Sequence, residues 1–201
     1  MKETALQTRQ STQVKRLVTV PLLAAVAFIL QYLEFPVPLM PSFLKLDFST
    51  LPGLVAGLLF GPMAGVVVEL LKNVLHFLFK NTDGLLIGEL ANFVAGSSFI
   101  VAAVTMQRLR RGKGGFLAGL AMGTLLMTLV MSAANWVFLI PAYAALYQVS
   151  VDALLGMLQV ESLWSLILVA IAPFNIIKGA VLSLLAYPIF VKLAPRLQLR
   201  T

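Results

Sequence analysis

Cysteine is absent from the 201 residues and histidine occurs once. Disulfides, thiolate metal centres, iron–sulfur clusters and cysteine nucleophiles are therefore excluded together, and so is a multi-histidine metal site. Charge is scarce as well. Only 11% of residues are Asp, Glu, Lys or Arg, where a soluble domain has about 25%. With 60% hydrophobic residues and a mean hydropathy of +0.95, polar side chains are too few to coat a water-soluble globule. That composition belongs to an integral membrane protein. The phosphate-binding loop of ATPases is missing, since Gly112-Lys113 lacks the rest of it. A Gly-x-Ser-x-Gly elbow and a two-histidine zinc motif are missing too. The chain reads as a binder without its own engine and not as an enzyme.

What is present is a series of apolar stretches, each to be compared with the roughly 20 residues needed to cross the hydrocarbon core. They cover 17–33, 48–79, 86–109, 115–140 and 164–190. The second is the ambiguous one. As a single helix it would run about 50 Å against a core of about 30 Å. A break at Gly61-Pro62 would make it two short helices. The positive charges decide. Eleven of the fifteen Lys and Arg residues fall in three clusters: Lys2, Arg9, Lys15 and Arg16; Arg108, Arg110, Arg111 and Lys113; Lys192, Arg196 and Arg200. Basic residues concentrate in cytoplasmic loops, and all three clusters share one side only if 48–79 crosses twice. The net charge of +7 is thus a topology signal and not a nucleic-acid footprint. The expected fold is all-α: six transmembrane helices in one domain over 1–201, with a cytoplasmic tail at 1–16, a bundle at 17–193 and both termini inside. Outer loops then cover 34–47, 81–84 and 142–163, the last with a short surface helix. Pro36, Pro38 and Pro41 forbid a regular helix in the first of these. Ala25-Val26-Ala27 has the spacing of a signal-peptide cleavage site, but the apolar run continues through Leu33, so span 1 is expected to be retained.

Four charged residues remain at membrane depth: Glu69, Lys72, Glu89 and Lys178. Each needs a partner or a wet cavity there. Glu69, Lys72, Asn73 and His76 share one helix face by their i, i+3, i+4, i+7 spacing. Glu69 with Lys72 suggests an internal ion pair, and His76 a locally satisfied imidazole. Glu89 and Asn92 are i, i+3, as are Asn175 and Lys178, and Asn135 lies in span 5. Lys178 has no counter-ion nearby in sequence. In the six-span topology these groups gather in the outer half of the bundle, which suits a pocket opening outward. A pore would spread them along its length.

Several segments together carry a family resemblance. They are Phe35-Pro36-Val37-Pro38, Phe43-Leu44-Lys45-Leu46-Asp47-Phe48-Ser49, Gly61-Pro62-x-x-Gly65, Leu71-Lys72-Asn73, Gly88-Glu89-Leu90-Ala91-Asn92-Phe93 and Pro173-Phe174-Asn175-Ile176-Ile177-Lys178. In this order they resemble the substrate-binding (S) component of an energy-coupling factor (ECF) transporter of the riboflavin-specific type. The resemblance implies a prokaryotic cell-membrane protein that captures riboflavin from outside. It also implies docking on a transmembrane coupling subunit joined to two ATP-binding-cassette ATPases, which explains the missing phosphate loop. Riboflavin is then cargo, and no cofactor is implied. Such components usually carry Ala-x-x-x-Ala on helix 1 for docking; here Ala24, Ala25 and Ala27 cluster, and Pro21 with Ala25 has that spacing.

The resemblance implies direct polar contacts from Asn135, Asn175 and Lys178; Glu89 and Asn92 are the next tier of site residues, followed by the loop residues Leu44, Lys45, Leu46 and Asp47. Asp47 equally suits an N-cap for the helix that follows. The chemistry agrees with a flavin. An amide offers both donor and acceptor to the imide edge of an isoalloxazine, a lysine donates to its carbonyls, and Phe43, Leu44, Leu46, Phe93 or Trp136 could wall the flat ring. Nanomolar capture requires about 12 kcal/mol, which calls for the Pro-rich loop to close over the ligand. Two other readings remain: an S component for another vitamin, such as thiamine or biotin, and an intramembrane lipid enzyme. The first would want more carboxylates for a cationic ligand; the second would need a catalytic dyad near an interface.

Overall fold

The computed structural model describes residues 2–80 and 86–193. The expected turn at 81–84 and the C-terminal Arg196 and Arg200 lie outside the described residues. Nine α-helices occur among those described: α1 (Lys2–Tyr32), α2 (Thr50–Phe60), α3 (Pro62–Lys80), α4 (Leu86–Arg110), α5 (Gly112–Ala134), α6 (Ile140–Leu146), α7 (Val151–Met157), α8 (Leu163–Leu166) and α9 (Ala172–Leu193). One π turn, Asn135–Leu139, joins α5 to α6, and another, Ile167–Ile171, joins α8 to α9. Five helical stretches are long and apolar enough to cross a membrane: Gln13–Tyr32, Pro62–Lys80, Leu86–Arg110, Gly112–Leu146 and Leu163–Leu193. A sixth, α2, is apolar but only 11 residues long, about 16 Å.

The ambiguous segment breaks at Gly61, as its Gly-Pro pair suggests. Gly61 adopts φ 108°, which L side chains rarely reach, and Pro62 opens α3 with a nitrogen that needs no partner. The chain then doubles back. A Cβ on Gly65 of α3 would strike the carbonyl of Gly53 in α2, a contact that only a reversed chain can make. Three packed groups follow. Ala24, Ala27, Ala56, Ala64 and Val68 join α1, α2 and α3. Phe99, Ile100, Phe116, Leu120, Met127 and Leu182 join α4, α5 and α9. Ile140, Leu154, Leu155, Leu166 and Phe174 hold the α6–α9 end, and Leu44 of the Pro-rich loop plugs into them. That loop carries a two-residue antiparallel ladder of β1 (Phe35–Pro36) and β2 (Lys45–Leu46).

Two boundaries differ from the sequence expectation. α1 begins at Lys2 and not near residue 17, because no Gly or Pro interrupts the chain before Pro21. The fifth span does not stop near Pro141 but runs on to Leu146. Each π turn ends two residues before a proline, Pro141 or Pro173. Proline removes one i→i−4 bond and crowds the carbonyl four residues back, and the wider turn relieves both.

Candidate functional site

One cavity opens where the Pro-rich loop meets α1, α3, α4, the Asn135 turn and α9. Its enclosed space is about 110 Å³, a narrow cavity compared with open small-molecule sites. Its wall takes Gln31 from the end of α1, and Glu34, Phe43, Leu44 and Lys45 from the loop. α3 contributes His76; α4 contributes Glu89 and Asn92; Asn135, Leu139 and Tyr143 follow; and Phe174, Asn175 and Lys178 complete it. Eight of the ten expected site residues therefore share one cavity.

Leu46 and Asp47 do not line it. Leu46 is buried in the ladder opposite Phe35. Asp47 lies fully buried as the anchor of the loop. Its carboxylate accepts from Lys178 Nζ at 2.9 Å and from Asn92 Nδ2 at 3.1 Å. It also accepts the Ser49 N–H at 2.8 Å and the Ser49 hydroxyl. Nor is it the N-cap: Ser49 holds that position, and Asp47 makes an Asx turn just ahead of it. Burial opposes its ionisation, but Lys178, Lys72 and the Ser49 hydroxyl outweigh burial and hold the carboxyl well below the usual carboxylate range. Lys178 thus has its counter-ion after all, 131 residues away in sequence. Of the other expected ring walls, Phe93 does not reach the cavity and Trp136 packs on Trp164 with centroids 4.5 Å apart. Phe43 and Leu44 do line it, and Phe43 meets the Tyr143 ring at 5.9 Å.

Beneath the cavity the internal pair is present: Lys72 Nζ lies 2.7 Å from Glu69, with both side chains fully buried. Lys72 also donates to Ser49 Oγ and, at 3.3 Å, to Asn92 Oδ1. Two lysines and two carboxylates therefore form a neutral cluster tying the loop to α3, α4 and α9. Pairing of opposite charges makes buried charge tolerable at membrane depth. His76 is bound more specifically than expected, with Nδ1 3.0 Å from Glu89 Oε1. Glu34 accepts from Lys45 at 3.1 Å, and Lys80 donates to the Tyr32 carbonyl at 2.6 Å.

The two asparagines present the same chemistry. Asn135 Nδ2 donates to the Met131 carbonyl and Asn175 Nδ2 to the Ile171 carbonyl, both at 2.8 Å. Each amide thereby satisfies a backbone group and keeps its oxygen to accept from a ligand. Lys178 and Lys45 supply cationic donors alongside.

Residues 15–190 match the family described as ECF transporter, substrate-specific component. The chain belongs to that family. It is 39% identical over 182 residues to the riboflavin transporter RibU of Staphylococcus aureus strain TCH60, covering 90% of this chain and 92% of that one. To the riboflavin transporter FmnP of Bacillus subtilis strain 168 it is 38% identical over 184 residues, covering 91% and 94%. A solved structure, reported as the structure and mechanism of the S component of a bacterial ECF transporter, superposes with a TM-score of 0.76 at 39% identity, covering 92% of this chain and 98% of that one. This S component is accordingly an all-α, multi-pass membrane protein, and the relatives it matches are transporters.

Four polar cavity residues were not among the expected site residues, Gln31, Glu34, His76 and Tyr143, and the apolar Leu139 and Phe174 were not either. Gln31 and Glu34 stand one turn apart at the end of span 1, a polar i, i+3 pair closing an apolar run, and that spacing was the available signal. Tyr143 was hidden because Pro141 reads as the end of a helix.

Proposed function

We propose that this S component captures riboflavin from outside the cell and delivers it when docked on the energising module of an ECF transporter. One observation carries the reading: amide, ammonium and aromatic groups from the loop and from four separate helical segments meet around a single cavity. The isoalloxazine lies between Phe43, Leu44, Leu139 and Phe174, with Asn135, Asn175 and Lys178 at its imide edge. Leu44, seated in the apolar group of α6–α9, closes the loop over it. The identities of 39% and 38% to named riboflavin transporters support the same cargo. The chain is no enzyme; hydrolysis belongs to two ABC ATPases that drive a transmembrane coupling subunit.

The ends that sit together support the six-segment topology. Gly61, between α2 and α3, lies against the Arg108 guanidinium. Phe116 stacks on Phe190 at 4.1 Å, placing the start of α5 beside the end of α9. Gly61, Arg108, the start of α5 and the end of α9 thus share the end of the bundle away from the cavity. With basic residues inside, both termini are cytoplasmic, six segments cross or enter a prokaryotic cell membrane, and the Pro-rich loop is external. The coupling subunit docks on the face of α1 that shows Pro21 and Ala25, which are exposed while Ala24 and Ala27 are buried against α2 and α3.

Titration of riboflavin fluorescence with the purified protein tests the cargo. Binding is expected to quench the signal. Asn135→Ala and Lys178→Ala should each weaken binding by about 1–3 kcal/mol, the cost of stranding a buried partner. Wild-type titrations without quenching, or variants indistinguishable from wild type, would place the site elsewhere.

A further inference from the structure

Gln31 and His76 form an edge of the cavity on α1 and α3, apart from the residues assigned above to the flavin ring. Gln31 is 1% exposed and His76 5%, and both line the cavity. Each has one arm committed. Gln31 Nε2 donates to Asn73 Oδ1 at 3.0 Å, and His76 Nδ1 faces Glu89 at 3.0 Å. Each has its other polar atom, Gln31 Oε1 and His76 Nε2, buried without a hydrogen-bond partner. Glu34 is too distant to serve the imidazole, at 3.8 Å. Buried orphan polar atoms are uncommon and costly, and two of them beside one cavity call for a ligand group that supplies what they lack.

The chemistry narrows that group. An amide oxygen only accepts. The free ring nitrogen accepts while Nδ1–H donates to Glu89 and donates if the ring is charged. A hydroxyl serves both, because it rotates to give or take a hydrogen bond. These atoms sit on α1 and α3, whereas Asn135 comes from the π turn after α5, and Asn175 and Lys178 from α9. We infer that Gln31 and His76 form a polyol subsite that binds the ribityl hydroxyls of the flavin and selects ligands carrying that chain. The inference rests on the riboflavin reading above.

Riboflavin and lumiflavin, which keeps the ring system but has a methyl group in place of the ribityl chain, separate the two ends of the site. Wild-type protein should bind lumiflavin at least tenfold more weakly than riboflavin. Gln31→Met and His76→Phe should each weaken riboflavin binding about tenfold, in line with an unsatisfied buried partner, and leave lumiflavin binding unchanged. Unchanged lumiflavin binding also certifies that each variant is folded. Equal losses for both ligands, or no loss for either, would overturn the subsite. Wild-type lumiflavin binding as tight as riboflavin would overturn it without any variant. Wild-type protein that binds neither flavin would instead overturn the riboflavin reading, and the subsite with it.

Discussion

Asp47 accepts from Lys178, Asn92 and Ser49 at once, in a place from which water is excluded. Removing one charge of such a cluster strands the other, at a cost of about 3–5 kcal/mol. Asp47→Asn should therefore lower the melting temperature of the purified protein and weaken riboflavin binding at least tenfold, because Lys178 loses the group that positions it. Adding Lys178→Met to Asp47→Asn should recover part of the lost stability, since the stranded cation is gone. Melting curves in detergent measure both; a double variant less stable than Asp47→Asn would contradict the pairing. The Glu69–Lys72 pair could be read from sequence, as three residues on one helix put the two side chains on one face. The Asp47–Lys178 pair could not, because its partners meet only once the loop and α9 have packed.

Helix α3 offers the buried Glu69 carboxylate to two neighbours that make room for it. A Cβ on Gly96 of α4 would overlap the carboxylate, and one on Gly53 of α2 would press on it. Glycine is required at these positions by close approach and not by backbone angle. Gly96→Ala should reduce stability by about 1–3 kcal/mol through overpacking, a drop of several degrees in a thermal melt. Gly114→Ala, whose added carbon meets nothing within 4 Å, is the control and should leave the melt unchanged or slightly raised. Equal effects at both sites would mean that the α3–α4 contact is looser than described. At this scale the Pro-rich loop was plain in the sequence through the local chemistry of proline, whereas the Gly61-Pro62 break was only one of two readings until the distribution of basic residues favoured it. The continuation past Pro141 was not, because a π turn is a tertiary compromise with no pattern of its own.

Across the whole molecule, polarity is divided between two ends. The cavity end holds Glu34, Asp47, Glu89 and the amides; the other holds Arg108, Arg110, Arg111 and Lys113. Because the chain has no cysteine, single cysteines can report which end faces outward. Leu39, fully exposed in the Pro-rich loop, is the outer probe as Leu39→Cys, and Gly114→Cys is the inner one. A membrane-impermeant maleimide should label the first in intact cells and the second only after permeabilisation. The opposite pattern would invert the topology.

The most direct measurement of the central claim, that the cavity holds a flavin, is the visible absorption spectrum of protein purified after incubation with riboflavin and freed of unbound ligand. The account predicts a yellow protein whose flavin bands are altered from those of free riboflavin, with the colour much reduced in Lys178→Ala. Colourless wild-type protein, or colour that Lys178→Ala retains in full, would contradict it.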